Sequence, residues 1–293
     1  LTLSSAVASA SSPADELSSS ALKGARSMHG DPVHFGSTTR VLTDGVQKAS
    51  PFGGPIQGID TVAHFTGQFQ ANGVDWSGQP NSLWSYAMVG RSPTRGGTTR
   101  IGAPVIPVSV DLRDANGQPR FRNGVQLYSD ATRYVNPVLN SPIFTPARFP
   151  GFEGKLQYDD AVQRAQFNSV MGEEWHTVLT PRVGQPLVMT ISQDAACGTL
   201  LPNGSRGHCN YYYAMNADGS CCLYILVDDA VFTGLLFPPT YPVSNQTIIG
   251  AAELSGDMTT KDITSFVFPD TYLFEGSPNY CCILGYHSFD YEP

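Results

Sequence analysis

Charge is what this sequence has least of. Only 14% of its 293 residues are charged, against about 25% in an average soluble protein. Lysine is rarest, with four against thirteen arginines, and the net charge is −8. That balance argues against nucleic acid as the main partner, because a phosphate backbone asks for a basic face. No apolar run reaches the roughly 18 residues a membrane helix needs, so no transmembrane segment is expected. The first twenty residues, LTLSSAVASASSPADELSSS, have no Met and no basic n-region. The ASA at 8–10 is similar to the end of a cleaved signal, so a mature or trimmed chain is expected.

Motifs of covalent and cofactor chemistry are missing too. There is no GxSxG elbow, and no Asp-Thr-Gly or Asp-Ser-Gly to suggest an aspartic protease. Without a P-loop or a GxGxxG opening a helix, no phosphate or dinucleotide cofactor is expected. No HExxH occurs, and no two histidines stand at i and i+4. No two cysteines form a CxxC pair.

What is present points to strands joined by turns. The chain has 29 glycines, 22 prolines, 15 phenylalanines and 13 tyrosines, a composition of pleated surfaces and tight connections. TVAHFTGQF (61–69) and NSLWSYAMVG (81–90) read as strands, and TTRIGAPVIPVSVDLRD (98–114) gives the strongest signal. Pro104 and Pro107 remove two ladder donors from it, which predicts an edge or bulged strand. DANGQPRF (114–121) holds an Asn-Gly turn. QPLVMTIS (185–192) is a further strand. NYYYAMNADGSCCLYILVDD (210–229) reads as a hairpin, and DITSFVFPDTYLF (262–274) with NYCCILGYHSF (279–289) as an adjacent strand pair. The best helix lies at about 159–172, capped by Asp159 or Asp160.

The expected fold is therefore mainly β, a β-sandwich-like body with long loops and one or two α-helices. Residues 1–20 form an arm or tail. Residues 21–293 form a single disulfide-bonded body, with a subdivision near 150 as an alternative. The Ser/Ala-rich arm suits strand addition to a neighbouring copy. Residues 91–122 carry six arginines against Asp111 and Asp114, and residues 223–293 carry nine acids against Lys261. These are solvated surface or two patches that meet within the fold or between subunits.

The six cysteines are Cys197, Cys209, Cys221, Cys222, Cys281 and Cys282. An even number with no metal-ligand spacing reads as disulfides in an exported protein, although six cysteines allow 15 pairings. Cys197 and Cys209 can close the loop between them. Neighbouring residues of a strand face opposite sides, so each adjacent pair is expected to send its sulfurs apart, toward the other pair or that loop. Asn203 and Asn245 stand in glycosylation sequons, which matter only where the source glycosylates.

Several groupings suit chemistry, each beside a plainer use. GEEWH brings Glu173, Glu174 and His176 together at a helix end, either for acid–base work or as solvated charges. Asp228 and Asp229 follow the buried-looking LYILV, as metal or hydrolytic carboxylates or as turn acids. His287 stands near Asp290 and Glu292. His29 and His34 flank Asp31 and can clasp a metal or face water. Tyr211, Tyr212 and Tyr213 with Trp76 and Trp84 can stack on a sugar, or pack in a core.

LWSYAMVGRSP, IPVSVDL, LNSPIF (139–144), YDDAVQRAQF and CCILGYHSFDYEP follow one another in this order. Together they resemble, over roughly 80–293, the N-terminal portion of a family of secreted bacterial proteins of uncharacterised function. The resemblance implies a zincin-like metallopeptidase segment downstream, with a His-Glu pair on a helix. Nothing in residues 1–293 matches that pair, so zinc is implied only with a further segment, and no cofactor is expected in this chain.

The functional expectation is an extracellular or cell-surface structural or binding protein. It forms homo-oligomers or attaches to a cell-surface or glycan ligand, through strand exchange of its arm. The alternative is a secreted metallopeptidase-like hydrolase whose catalytic segment lies outside this chain.

Overall fold

The computed structural model describes residues 62–70, 83–215, 223–237 and 245–285. The arm at 1–20, His29, His34, Trp76, Cys221, Cys222 and His287 lie outside the described residues.

The fold is mainly β and is organised around one strand. β1 (His64–Gln70) and β2 (Leu83–Val89) pair antiparallel. β3 (Thr98–Arg113) is the long strand, and it is buried on both faces from Ala103 to Leu112. That is how a near-continuous apolar run behaves when other elements cover both sides. β4 (Phe121–Arg122) and β5 (Val125–Gln126) form a small hairpin, and β6 (Tyr128–Ser129) returns to β3. β7 (His176–Val183) and β8 (Leu187–Ser192) run parallel to β3, one after the other.

The expectation of an edge or bulged strand for β3 is overturned, for a reason visible in the hydrogen bonds. Val105 O accepts from Gly184 N on one side, and Gly102 O accepts from Ile263 N on the other. By alternation, Pro104 faces the side of residues 262–267, and Pro107 faces the side of β7 and β8. Pro107 stands where β7 has ended at Val183 and β8 has not begun at Leu187. Each proline thus costs one donor on one side, and β3 keeps neighbours on both.

A second sheet faces the first. β9 (Tyr211–Ala214) and β10 (Tyr224–Asp228) are antiparallel, β12 (Thr271–Phe274) lies parallel to β10, and β13 (Cys281–Ile283) closes the order β13-β12-β10-β9. The run at 262–274 does not stay in one sheet. β11 (Ser265–Val267) pairs with β3, whereas β12 joins the second sheet. Pro269 and Asp270 make the corner, Asp270 taking a left-handed φ of 53° that Asp tolerates better than most residues.

Alternation along β3 divides the core. Ile106, Val108, Val110 and Leu112 point into a cluster with Met189, Ile191, Tyr211, Tyr213, Ile225 and Val227. Ile101, Ala103 and Val105 point into another with Phe144 and Leu179. Four short helices complete the described fold: α1 (Val135–Leu139), α2 (Tyr158–Gln166), α3 (Asp229–Leu236) and α4 (Ile248–Leu254). α2 stops before the expected 172. Phe167 leaves the helical region there and meets Trp175 and Phe65 edge to face, and Asn168 and Ser169 are weak helix formers.

Candidate functional site

α2 positions the first candidate. Its inner face is polar: Gln157, Asp160, Gln163 and Arg164 are buried, and their spacing places them on one side of a helix. They serve the backbone of β7. That strand turns His176 N toward Gly97 O of the β3 side, so Thr177 N and Leu179 N face away from the sheet. Asp160 Oδ1 accepts from Thr177 N at 2.9 Å. Gln157 Oε1 accepts from Leu179 N at 2.7 Å, and Gln157 Nε2 donates to Leu179 O and Phe144 O. Gln163 accepts from the Thr177 hydroxyl, and Arg164 donates to the carbonyls of Trp175 and Glu173. Side chains of a helix thus satisfy a strand edge that would otherwise be open.

Asp160 carries a second duty. Its Oδ2 lies 2.7 Å from His176 Nδ1, and Asp160 is 2% exposed. A carboxylate held at Nδ1 fixes the imidazole and leaves Nε2 for chemistry at the surface. The grouping read from GEEWH is otherwise not assembled. Glu173 and Glu174 are exposed, and among the described residues neither carboxylate pairs with His176. The turn after α2 points them to water. The partner of His176 comes instead from sixteen residues upstream.

Asp228 and Asp229 do not form a carboxylate pair either. Asp228 ends β10 and caps α3, accepting from Ala230 N at 3.1 Å and Val231 N at 3.2 Å. Its Oδ2 lies 3.5 Å from His208 Nε2, long for a hydrogen bond. Asp229 stands in the first turn of α3, where the helix dipole favours an acid. Among the described residues, no three His, Cys, Asp or Glu side chains approach closely enough to hold a metal ion.

The cysteines give one expected bridge and one correction. Cys197 and Cys209 are bonded, with S–S 2.00 Å. Within their loop Gly198 N donates to Gly207 O, and a β-carbon at Gly207 would collide with the Ala196 carbonyl. Cys281 and Cys282 are bonded to each other rather than directed to opposite faces. The peptide bond between them is cis. Tyr224 Oη lies 3.1 Å from Cys282 Sγ, and burial followed by the neighbouring Tyr272 pushes the Tyr224 phenol up to about 12.

Of the two uses open to Tyr211–Tyr213, sugar stacking or core packing, the structure shows packing. Tyr211 and Tyr213 are fully buried in the core shared by the two sheets, and Tyr212 packs edge to face on Phe274. Alternation sends the two outer tyrosines inward. The sequons also differ. Asn203 is exposed, its Oδ1 accepting from Ser205 N and Oγ. Beside the exposed Asn245, Thr247 is buried and caps α4 by accepting from Gly250 N.

A cleft among the described residues lies elsewhere. The Asn-Gly turn after β3 and the start of the disulfide loop enclose a cleft of about 460 Å³. Asp114, Arg120, Phe121, Gln193, Asp194 and Cys197 are among its walls. Sequence reading found the turn and the disulfide but not that the two meet. The available signal was Asp194, three residues before the first bridged cysteine, and the aromatic after the turn.

The polar groups of this cleft are unequally occupied. Gln193 Nε2 donates to Tyr211 O, and its Oε1 accepts from Asp194 N and Asn210 N. Arg120 donates to the Tyr211 hydroxyl at 3.1 Å and lies over the rings of Tyr211 and Tyr213. Asp114 Oδ1 accepts from Asn116 N and Gln118 N, and Asp194 Oδ1 accepts from Ala196 N. In both aspartates Oδ2 accepts nothing from the described residues. Phe121 is 58% exposed.

No family model, curated protein or solved structure matches the chain.

Proposed function

We propose that this chain is an extracellular, disulfide-bonded binding protein that attaches to a cell surface through a glycan ligand and assembles with itself. The cleft beside the Cys197–Cys209 loop carries the reading. It is within the range of small-ligand sites, about 300–1,000 Å³, and it sets an exposed aromatic ring beside carboxylate oxygens that accept nothing from the described residues. An aromatic wall with unspent polar groups suits a molecule with both a C–H face and hydroxyls.

Self-assembly rests on the sequence of the arm and on the sheet edges. β9 and β13 are the outer strands of the four-stranded sheet, and outer strands accept an added strand from another chain. The test has two arms. The protein is incubated with insoluble cell-envelope polysaccharide, alone and as Phe121→Ala, and retention that the variant loses supports attachment. Sedimentation across concentration and salt, with and without residues 1–14, reads assembly. A strict monomer throughout would remove the self-association half.

The second reading is a metallopeptidase-like hydrolase completed by a further segment. The observation favouring it is the Asp160–His176 pair, an imidazole already oriented for proton transfer. It expects zinc-dependent peptidase activity in a longer form of the protein. Elemental analysis finding no zinc in that form would count against it.

A further inference from the structure

We infer that Cys281–Cys282 is a thiol-exchange site: a small thiol or dithiol reduces it ahead of the Cys197–Cys209 bridge, and its state sets the pairing of β13 on β12. This site stands apart from the cleft and does not depend on the binding reading.

The two bridges differ in what the surrounding backbone favours. Around Cys197–Cys209 the loop's own hydrogen bonds hold its two ends together. Gly198 N donates to Gly207 O, Gly207 N to Thr199 O, and Leu201 N to Ser205 O. Backbone and bridge agree there, and Cys209 is 2% exposed. In β13 they conflict. Neighbouring residues of a strand face opposite sides, and a bond between neighbours forbids that. The ladder shows the result. Phe274 stands opposite Cys281 and Leu273 opposite Ile283, so Cys282 is the extra residue of a bulge. Reduction frees the two side chains to alternate, and the ladder then favours the dithiol.

Access and leaving-group chemistry point the same way. β13 is an outer strand of its sheet, and both cysteines are half-buried rather than enclosed. Tyr224 Oη lies 3.1 Å from Cys282 Sγ and 3.9 Å from Cys281 Sγ. Neither bonded sulfur carries a hydrogen, so the phenol is the donor. Stacking on Tyr272 at 4.8 Å holds the Tyr224 ring in place. Burial, then Tyr272, keeps its proton on by pushing the phenol up to about 12.

An incoming thiolate attacks Cys281 Sγ and forms a new sulfur–sulfur bond. The old bond breaks, and its electron pair goes to Cys282 Sγ, where the Tyr224 O–H stabilises the leaving thiolate. A second thiolate, or the other sulfur of a dithiol, attacks the incoming sulfur of the mixed disulfide and releases Cys281 as thiolate. The two protons given up by the thiols end on the cysteines. Two thiols are thus oxidised to one disulfide, and the pair is reduced to two thiols.

The experiment exposes the full chain to rising reduced glutathione, and in a second series to dithiothreitol. Free thiols are trapped with N-ethylmaleimide and mapped by mass spectrometry. Cys281 and Cys282 should be labelled at thiol concentrations roughly tenfold below those that release Cys197 and Cys209. Tyr224→Phe should slow labelling of the pair severalfold and leave Cys197–Cys209 unchanged. In the selectively reduced protein, amide hydrogen exchange at Cys282 and Ile283 should be slower than in the oxidised one. The double variant Cys281→Ser, Cys282→Ser should show the reduced pattern without any reductant. Release of Cys197–Cys209 first, or at the same thiol concentration, would overturn the exchange site. Exchange in β13 that is indifferent to reduction would overturn its hold on the ladder.

Discussion

The carboxylate of Asp262 occupies the space in which a side chain at position 102 would begin. A β-carbon on Gly102 would overlap Asp262 Oδ1 and come within 3.1 Å of Arg182 Nη1. Glycine is required here by a neighbour rather than by its own backbone angles. Gly102→Ala should lose about 1–3 kcal/mol, the cost of forcing an extra group into a filled site. Asp262→Ala in the same chain should recover part of that loss, since both changes act on one contact. Urea denaturation of the two single variants and the double variant measures the coupling, and strict additivity would contradict the overlap.

Asp262 also gives a pH dependence. Arg182 grips it with two donors, at 3.0 and 2.8 Å, and Thr259 adds its hydroxyl and amide. The Arg182 fork, then Thr259, holds the carboxyl below its ordinary value against a smaller opposing effect of burial. A lowered folded-state value means the contribution is present above the unfolded value, near 4, and is lost as pH falls through the folded one. Arg182 is 43% exposed, so the pair is worth only about 0.5–1 kcal/mol. Asp159 has the opposite sign, because burial raises it. Its ionisation weakens the fold as pH rises past the ordinary carboxylate value. Asp262→Asn should flatten the acid side of the stability curve, and Asp159→Asn should lift stability at pH values above the ordinary carboxylate range. Melting curves from pH 3 to 7 read both.

Removing Asp160 should open the edge of β7. Asp160→Ala leaves Thr177 N without its acceptor, at about 1–3 kcal/mol for a buried donor, and frees the ring of His176. Faster hydrogen exchange at Thr177 and Leu179 than at β8 amides would locate the damage. Uniform loss of protection would argue that α2 does not act as an edge cover.

The disulfide loop should be separable from the fold. Cys197 and Cys209 are 12 residues apart, and a bridge of that span contributes about 3 kcal/mol in the loop-entropy account. Replacing both by Ser should lower stability by roughly that amount while the far-ultraviolet dichroism of the sheets stays native. Cys197 lines the cleft, so saccharide binding should weaken in the same variant.

Asp228→Ala should shorten α3 at its start. The side chain accepts from two helix N–H groups, and losing such a cap costs about 1 kcal/mol, up to 2. Asp228→Asn keeps an acceptor and should recover most of that loss. A variant with Ala at 228 as stable as the parent would show that water replaces the cap.

Much of the strand pattern was legible because it rests on short-range chemistry. The β-branched run 105–110, the tyrosine-rich hairpin and the helix start at 158 carry their periodicity in the residues themselves. Partner choice does not. Pro104 and Pro107 looked like marks of an edge, and only the arrangement of β7, β8 and β11 shows that their missing donors fall where little is lost. The corner at Pro269–Asp270 splits one apolar run between two sheets, which no periodicity records. The second Asn-Gly pair, Asn123 and Gly124, has left-handed φ of 50° and 78° and makes the β4–β5 turn, a hairpin signal of the same short-range kind. Asp160 looked like a helix cap because of its position, yet its partners are sixteen and seventeen residues away. The cleft joins residues about eighty positions apart, a distance at which sequence spacing carries no geometry.

β3 has a consequence for the order of events in synthesis. The segment from Ala103 to Leu112 leaves the ribosome early, apolar on both faces and rich in β-branched residues. Its parallel neighbours begin at His176, Leu187 and Ser265. For much of translation the chain therefore carries a ready strand with little to pair against, and late-closing contacts of this kind slow folding and favour aggregation. Until β7, β8 and β11 have been made, that strand is the part of the chain most open to wrong pairing.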